Sequence, residues 1–168
     1  MSTTNTTLEG FQLRFATQKD VPLILTFIRA LAEYENLSHK VIATEELLTE
    51  HLFQHKMAEV LIGEYHGEPV AFALFFSNFS TFLGQPGIYL EDLYVKPELR
   101  GKGIGTILLS RLAALVLERK FGRLEWACLD WNEPSIAFYK QMGAVAMDEW
   151  TNYRVTGNAL EQLANLSL

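Results

Sequence analysis

Hydrophobic and polar positions follow two different spacings in the first third of the chain. Apolar and polar residues alternate from Phe11 to Ala16, which predicts a strand. Apolar residues then recur every three or four positions after Pro22 and stop near Glu35, which predicts a helix with proline in its first turn. Thr44 precedes two glutamates, so we expect it to cap a second helix.

The middle of the chain contains three strand-like runs ahead of a glycine-rich loop. Runs at 58–65 and 69–76 flank the turn sequence His66-Gly67-Glu68, and a third run spans 88–95. Pro97 stops the third run. After the loop, an apolar-rich helix is expected to continue until Gly122.

The last part of the chain returns to shorter elements. The pattern predicts a buried strand at 124–129, a short helix from Pro134 to Gly143, strand-like pieces near 145–147 and 151–155, and a final helix after Asn158. The order β-α-α-β-β-β-loop-α-β-α-β, with one helix appended, predicts a mixed α/β fold. We expect a flexible polar tail at 1–10 and one domain over 11–168.

Composition narrows the classes of function. The net charge of −6 argues against a nucleic-acid partner, which requires a surplus of basic residues. No apolar run reaches the length of a membrane span, and the N-terminus lacks a secretory pattern. Cys128 is the only cysteine, so no disulfide forms within the chain, and it is expected to be a small core residue. We expect a cytoplasmic protein without nucleic-acid or membrane partners.

The loop after the third run carries the clearest chemical signal. It reads Arg100-Gly101-Lys102-Gly103-Ile104-Gly105 and lies between a strand and a helix. A helix N-terminus exposes unpaired N–H groups and a partial positive charge. Glycines let the backbone approach a phosphate closely, and the two basic side chains add charge. The loop is therefore predicted to bind an anion, although glycines that only shape a turn remain an alternative.

Three known phosphate-binding loops share some features with this one. A P-loop requires Gly-x-x-x-x-Gly-Lys-Ser/Thr, which is absent here. A dinucleotide fingerprint requires Gly-x-Gly-x-x-Gly, and Gly101 and Gly103 match only its first two glycines, since Thr106 replaces the third. The chain also has only one such β-α-β unit, so half of the usual dinucleotide-binding fold is missing. The pyrophosphate loop of the GCN5-related N-acetyltransferases (GNAT), Arg/Gln-x-x-Gly-x-Gly/Ala, is matched fully by Arg100, Gly103 and Gly105.

Over residues 13–163 the chain resembles the diamine and thialysine N-epsilon-acetyltransferase branch of that superfamily. The resemblance rests on LAEYE at 31–35, YLEDLYV at 89–95, LRGKGIG at 99–105 and DWNEPSIAFYK at 130–140. It implies an α/β GNAT fold, with a mixed, mostly antiparallel sheet splayed at the cofactor site and helices on both faces. It also implies direct transfer from acetyl-coenzyme A (acetyl-CoA) in a ternary complex, a homodimer, and no metal.

The resemblance further implies which residues form the site. Tyr139 would protonate the departing thiolate, and Glu91 would accept the amine proton through water. The amine would be bound by Tyr34, Glu35, Phe82, Glu91 and Trp131. Acetyl-CoA would be bound by Leu93, Tyr94, Val95, Arg100, Gly101, Lys102, Gly103, Ile104, Gly105, Thr106, Asn132, Ser135 and Lys140. The chemistry needs such groups, because an alkylamine with a pKa of ~10 is protonated at neutral pH and must lose its proton.

Each assignment has a simpler alternative. Tyr139 is expected in the core if it plays no catalytic part, and adjacent acids such as Glu91 and Asp92 point to opposite faces of a regular strand. His51 and His55 have the i, i+4 spacing of a metal pair, but no third ligand is evident, so both are interpreted as solvated.

The leading hypothesis is an N-acetyltransferase acting on a small primary amine of thialysine, lysine or polyamine type. Ser80-Thr81-Phe82 stands where polyamine-specific relatives have an aspartate, which favours the thialysine type. A protein N-acetyltransferase and a non-catalytic acyl-CoA sensor remain the alternatives.

Overall fold

The computed structural model describes residues 4–166 of the 168-residue chain. It comprises two compact units, Met1–Cys128 and Leu129–Leu168. Within the described range, every helix is too short or too polar to cross a bilayer.

A mixed sheet forms the frame of the first unit. Within residues 4–166 it has six strands, arranged in chain order: β1 Thr4–Asn5, β2 Phe11–Phe15, β3 Glu59–Tyr65, β4 Glu68–Ser80, β5 Gln85–Val95 and β6 Leu124–Trp126. Neighbours are antiparallel except for β5 and β6, which are parallel. Strand β1 lies within the segment predicted as a tail, and Met1 to Thr3 lie outside the described residues.

Helices cover both faces of this sheet. Helix α1 is Val21–Tyr34, α2 is Glu45–Leu48 and α3 is Ile104–Glu118. On one face α1 packs into a cluster of buried side chains: Ile24, Phe27, Leu52, Val60, Ile62, Phe72 and Tyr94. The alternate residues Leu61, Ala71 and Ala73 point the other way and are also buried. Helix α3 packs against β4, β5 and β6 and covers that second face.

The second predicted helix begins as expected and then changes its winding. The Thr44 hydroxyl accepts a hydrogen bond from the Leu47 N–H at 3.3 Å, so the predicted cap is confirmed. After Leu48, however, the chain continues as a π-helix over Thr49–Gln54. Leu52 is buried in the α1 cluster and anchors this segment to the core.

The pairing of β5 changes along its length. Its parallel pairing with β6 ends at Leu90, so the predicted strand 124–129 is shorter than expected. A β-bulge follows at once, because Asp92 pairs with Leu74 and Leu90 with Phe75, which leaves Glu91 without a partner on β4. Beyond Leu90, β5 is therefore paired on one side only within the first unit. Cys128 lies past the end of β6 and is only partly buried, so its prediction as a core strand residue is wrong.

The second unit contains helices α4 Glu133–Gln141 and α5 Gly157–Ala164. Gly143 has φ 86° just after α4 and ends it, as predicted. The strands predicted near 145–147 and 151–155 are wrong, since residues 129–166 contain no strand. Their alternating pattern lacks a pairing partner within this unit, and side chains such as Val145 and Tyr153 are 82% and 93% exposed.

Candidate active site

The glycine loop has a backbone that only glycine adopts easily. Gly101 and Gly103 have φ values of 78° and 82°, in the left-handed region. A Cβ atom built at either position would meet no protein heavy atom within 4 Å. Glycine is therefore favoured here by the backbone conformation and not by close packing. One side of the loop is open to a ligand.

The N-terminus of α3 lies directly behind this loop. Gly103 is its N-cap, no side chain caps it, and its first turn contains no acidic residue. The N–H groups of the first turn have no acceptor within a helix, so those of Ile104, Gly105 and Thr106 are available to a ligand. Together with the positive end of the helix dipole, they suit a pyrophosphate.

Arg100 joins the loop to two other elements. Its Nε donates a hydrogen bond to the Val95 carbonyl at 3.0 Å. Its guanidinium carbon lies 4.6 Å from the ring centroid of Tyr34 and 5.8 Å from that of Tyr94. Arg100 thus connects the end of β5 to the last turn of α1. Lys102 lies beside Tyr65, with Nζ 5.8 Å from the ring centroid.

The unpaired edge of β5 presents a defined set of backbone groups. The Lys96 N–H donates to the Val70 carbonyl, so Lys96 and Val70 form a hydrogen-bonded pair. Because such pairs alternate in an antiparallel ladder, Tyr94 is the next one and directs its backbone groups to β4. Leu93 and Val95 direct theirs to the open edge. Of the three residues predicted to bind the cofactor through the backbone, these two have the suitable orientation.

A carboxylate that was absent from the predicted site lies at the bulge of β5. Burial, together with the charges of Glu91 and Glu35, raises the pKa of Asp92 to about 6. Burial also raises the pKa of Glu35, which follows the last turn of α1. Glu91 is exposed. In a regular strand Glu91 and Asp92 would point to opposite faces, and the bulge that interrupts this regularity has no evident signal in the sequence.

Within the first unit, one residue predicted to bind the amine lies apart from this carboxylate group. Phe82 lies in the turn between β4 and β5, and its side chain is 95% exposed. Ser80, at the start of the same turn, is buried and accepts a hydrogen bond from the Leu83 N–H at 3.2 Å. In the first unit Arg100 contacts Tyr34, and the charges of Glu35 and Glu91 act on Asp92, whereas none of the described contacts adds Phe82.

Five predicted site residues lie on or just before α4 in the second unit. Asn132 is buried, and its Oδ1 accepts a hydrogen bond from the Ser135 N–H at 3.4 Å, so it caps the helix. Tyr139 is partly buried with its ring centroid 5.4 Å from that of Phe138. Trp131 and Lys140 are exposed. The cap orients the start of α4, and the roles predicted for all five remain predictions.

Known proteins similar to this chain agree with these features. The profile of the acetyltransferase (GNAT) family matches residues 28–144. A thialysine N-epsilon-acetyltransferase from Bos taurus is 40% identical over 166 residues, covering 90% of this chain and 96% of that protein. An L-ornithine N5-acetyltransferase from Arabidopsis thaliana is 30% identical over 203 residues, covering 94% and 89%.

A solved structure extends the similarity to three dimensions. An integron cassette protein from the mobile metagenome of V. cholerae superposes with a TM-score of 0.78 at 27% identity, covering 94% of this chain and 99% of that one. The predicted α/β GNAT fold and the resemblance to the thialysine branch are thereby confirmed. This chain belongs to the acetyltransferase (GNAT) family and is an acetyl-CoA-dependent N-acetyltransferase.

Proposed function

We propose that the enzyme acetylates the primary amine of a small molecule of thialysine, lysine or polyamine type, by direct attack in a ternary complex. The observation that carries this proposal is the carboxylate group of Glu35, Glu91 and Asp92 beside the unpaired half of β5. A cluster of carboxylates in partly desolvated surroundings attracts an alkylammonium ion. The aromatic ring of Tyr34 lies at the end of the same helix as Glu35 and adds an apolar wall.

Acetyl-CoA supplies an activated thioester, and this chain offers matching groups for its parts. The uncapped N–H groups of Ile104, Gly105 and Thr106 suit the pyrophosphate, and Lys102 adds charge. The outward backbone groups of Leu93 and Val95 suit the amides of the pantetheine arm, in the manner of an added strand. Arg100 holds the loop against β5.

The amine must lose a proton before it attacks. An alkylammonium with a pKa of ~10 transfers its proton most readily to an acceptor whose pKa lies close to the working pH. The pKa of Asp92, raised to about 6, is nearer to neutrality than that of an ordinary aspartate. We therefore add Asp92 to Glu91 as a group that accepts the proton, directly or through water.

The second unit is assigned the opposite proton transfer. Tyr139 would donate its phenolic proton to the departing thiolate, since a tyrosine hydroxyl can hydrogen-bond and protonate a weakly basic thiolate. Asn132, Ser135 and Lys140 would contribute to acetyl-CoA binding, and Trp131 to the amine pocket. The transfer involves no metal.

The named activities of the relatives support an amino-acid-like amine. The Bos taurus and Arabidopsis thaliana proteins are named for thialysine and L-ornithine, which both have an amine at the end of a side chain. The absence of an aspartate at Ser80-Thr81-Phe82 removes one acidic contact that a longer polycation would use. We therefore rank thialysine, lysine and ornithine above spermidine.

We further propose a cytoplasmic homodimer without nucleic-acid or membrane partners. Exposed apolar side chains on the second unit support self-association, among them Met147, Trp150 and Tyr153, which are 64%, 71% and 93% exposed. Light scattering at micromolar concentration should give twice the chain mass. A monomer at every concentration would contradict the dimer.

Release of free thiol from acetyl-CoA, measured across an amine panel, tests the proposed reaction. The panel contains thialysine, lysine, ornithine, spermidine and a short peptide, and a Cys128→Ser variant removes the only protein thiol from the background. We expect turnover with the amino acids, less with spermidine and none with the peptide. Preference for the peptide would indicate a protein acetyltransferase, and tight acetyl-CoA binding without any turnover would indicate a sensor.

A further inference from the structure

The π-helical segment Thr49–Gln54 and the residue after it bring three metal-ligating side chains together outside the site described above. These are Glu50, His51 and His55, whose donor atoms all lie within 4.8 Å of one another. His55 Nε2 is 3.3 Å from Glu50 Oε1, and the two imidazole centroids are 5.8 Å apart. All three side chains are exposed.

The winding of the segment creates this grouping. In an α-helix, residues five positions apart point about 140° away from each other around the axis. Here the His55 N–H donates to the Glu50 carbonyl at 2.8 Å, an i to i+5 bond that defines the wider π turn. The wider turn rotates Glu50 towards His55 while His51 stays beside it. Glu50 is thus the third ligand that the i, i+4 spacing of the histidines alone does not indicate.

The backbone under these side chains is held by the core. Leu52, on the same turn, is 9% exposed and packs in the cluster with Ile24 and Phe27. Lys56, directly after His55, has φ 53°, an uncommon value for a residue other than glycine. Short π segments are rare and occur frequently at functional sites. The three ligands therefore project from a fixed frame rather than from a mobile loop.

We propose that Glu50, His51 and His55 bind one Zn²⁺ ion. Two imidazoles and one carboxylate are a common three-residue set for this ion, with bonds of about 2.0–2.2 Å and water in the fourth position. A tetrahedral ion needs donor atoms about 3.3 Å apart, which the pair of His55 and Glu50 already satisfies. His51 reaches this spacing by rotating its exposed side chain. The ion would clamp the π turn and takes no part in acetyl transfer.

Isothermal titration of the full chain, carrying no affinity tag, with Zn²⁺ tests the proposal. We expect one ion per chain, and His51→Gln and His55→Gln should each weaken binding at least about tenfold, the scale of losing part of a metal site. Glu50→Gln should also weaken it measurably. The matched controls are His39→Gln, another exposed histidine, and Cys128→Ser, and both should bind as the wild type does.

A second readout is the thermal midpoint of unfolding. Since Zn²⁺ would bind the folded π turn and not the unfolded chain, it should raise the midpoint of the wild type by more than that of His55→Gln at the same Zn²⁺ concentration. The exposed variants are expected to fold, and asparagine at the same positions provides a second set. Three results would overturn the three-ligand site. The first is unaltered Zn²⁺ affinity in His51→Gln and His55→Gln, and the second is an equal loss of affinity in His39→Gln. The third is unaltered affinity in Glu50→Gln.

Discussion

Alanine in place of Gly103 separates what the loop contributes to folding from what it contributes to binding. Gly103 has φ 82°, and a left-handed conformation costs an alanine about 1–2 kcal/mol. A less flexible unfolded chain offsets about 0.4–1 kcal/mol of this cost. The new methyl group meets no protein atom within 4 Å, so no clash is added. The free energy of unfolding should therefore fall by only about 1 kcal/mol.

The affinity for acetyl-CoA should fall much further. The methyl group would occupy the open side of the loop, from which the pyrophosphate reaches the N–H groups at the start of α3. Losing two hydrogen bonds to a charged group, at about 1.5–3 kcal/mol each, removes about 3–6 kcal/mol. Since each 1.4 kcal/mol changes a dissociation constant about tenfold, the Kd should rise at least about a hundredfold.

Gly84→Ala is the matched control for this experiment. Gly84 has φ 64° and equally open surroundings, but it lies in the turn before β5, whereas the loop follows the end of that strand. Gly84→Ala should lose about as much stability in urea unfolding as Gly103→Ala does. It should keep the acetyl-CoA Kd of the wild type in isothermal titration. If Gly103→Ala binds acetyl-CoA within about threefold of the wild type, or if Gly84→Ala loses as much affinity, the loop does not hold the pyrophosphate.

Three further substitutions test the remaining parts of the site. Tyr139→Phe should lower turnover in the thiol assay and keep the acetyl-CoA Kd, and unchanged turnover would remove Tyr139 from the acid role. Because the pKa of Asp92 is raised from 3.8 to about 6, folding stability falls as pH rises between these values. The free energy of unfolding of Asp92→Asn should therefore exceed that of the wild type by up to about 3 kcal/mol at pH 8 and by almost nothing near pH 4. The same variant should lose turnover at pH 8. Equal stability gains at both pH values in urea unfolding would contradict that cause. Arg100→Leu should weaken acetyl-CoA binding about tenfold, the scale of one lost charge-assisted hydrogen bond. Arg100→Lys should not restore the affinity, because lysine lacks the planar group that lies over the Tyr34 ring. Full rescue by lysine would refute this role of Arg100.

Features that depend on local sequence were predictable here. The strand before the loop, the glycines and the helix after them are neighbours in the chain, so their order in the structure follows from the local sequence. Thr44 caps its helix through a residue three positions away. The identity of the acyl donor was also predictable, because the segment DWNEPSIAFYK resembles a known family closely.

Features that depend on distant partners were not predictable. The bulge at Glu91 arises from how β4 and β5 align, and it changes the surroundings of Asp92. Gly122 was expected to end α3, yet Lys120 adopts the left-handed conformation with φ 58°. Gly122 instead lies against the turn before β5, since a Cβ there would lie 2.9 Å from the side-chain ends of both Leu83 and Gln85, which are nearly forty residues earlier and would have to shift.

The strands predicted near 145–147 and 151–155 show the same limit. Alternating apolar residues make a strand only when a second strand satisfies the backbone, and the described part of the second unit offers none. The π turn at Thr49–Gln54 was also not predictable, because its sequence fits a regular α-helix equally well. Its wider winding accompanies the burial of Leu52 among residues that are distant in the chain.

Acetyl transfer to a small amine is measured most directly by mass spectrometry of one reaction mixture. The enzyme is incubated with isotope-labelled acetyl-CoA, first alone and then with thialysine. We expect the protein to stay unmodified in the first case, and labelled N-acetyl-thialysine to form with an equal amount of coenzyme A in the second. Binding of acetyl-CoA without a labelled amine product, or label transferred first to the protein and then to the amine, would contradict direct transfer by this enzyme.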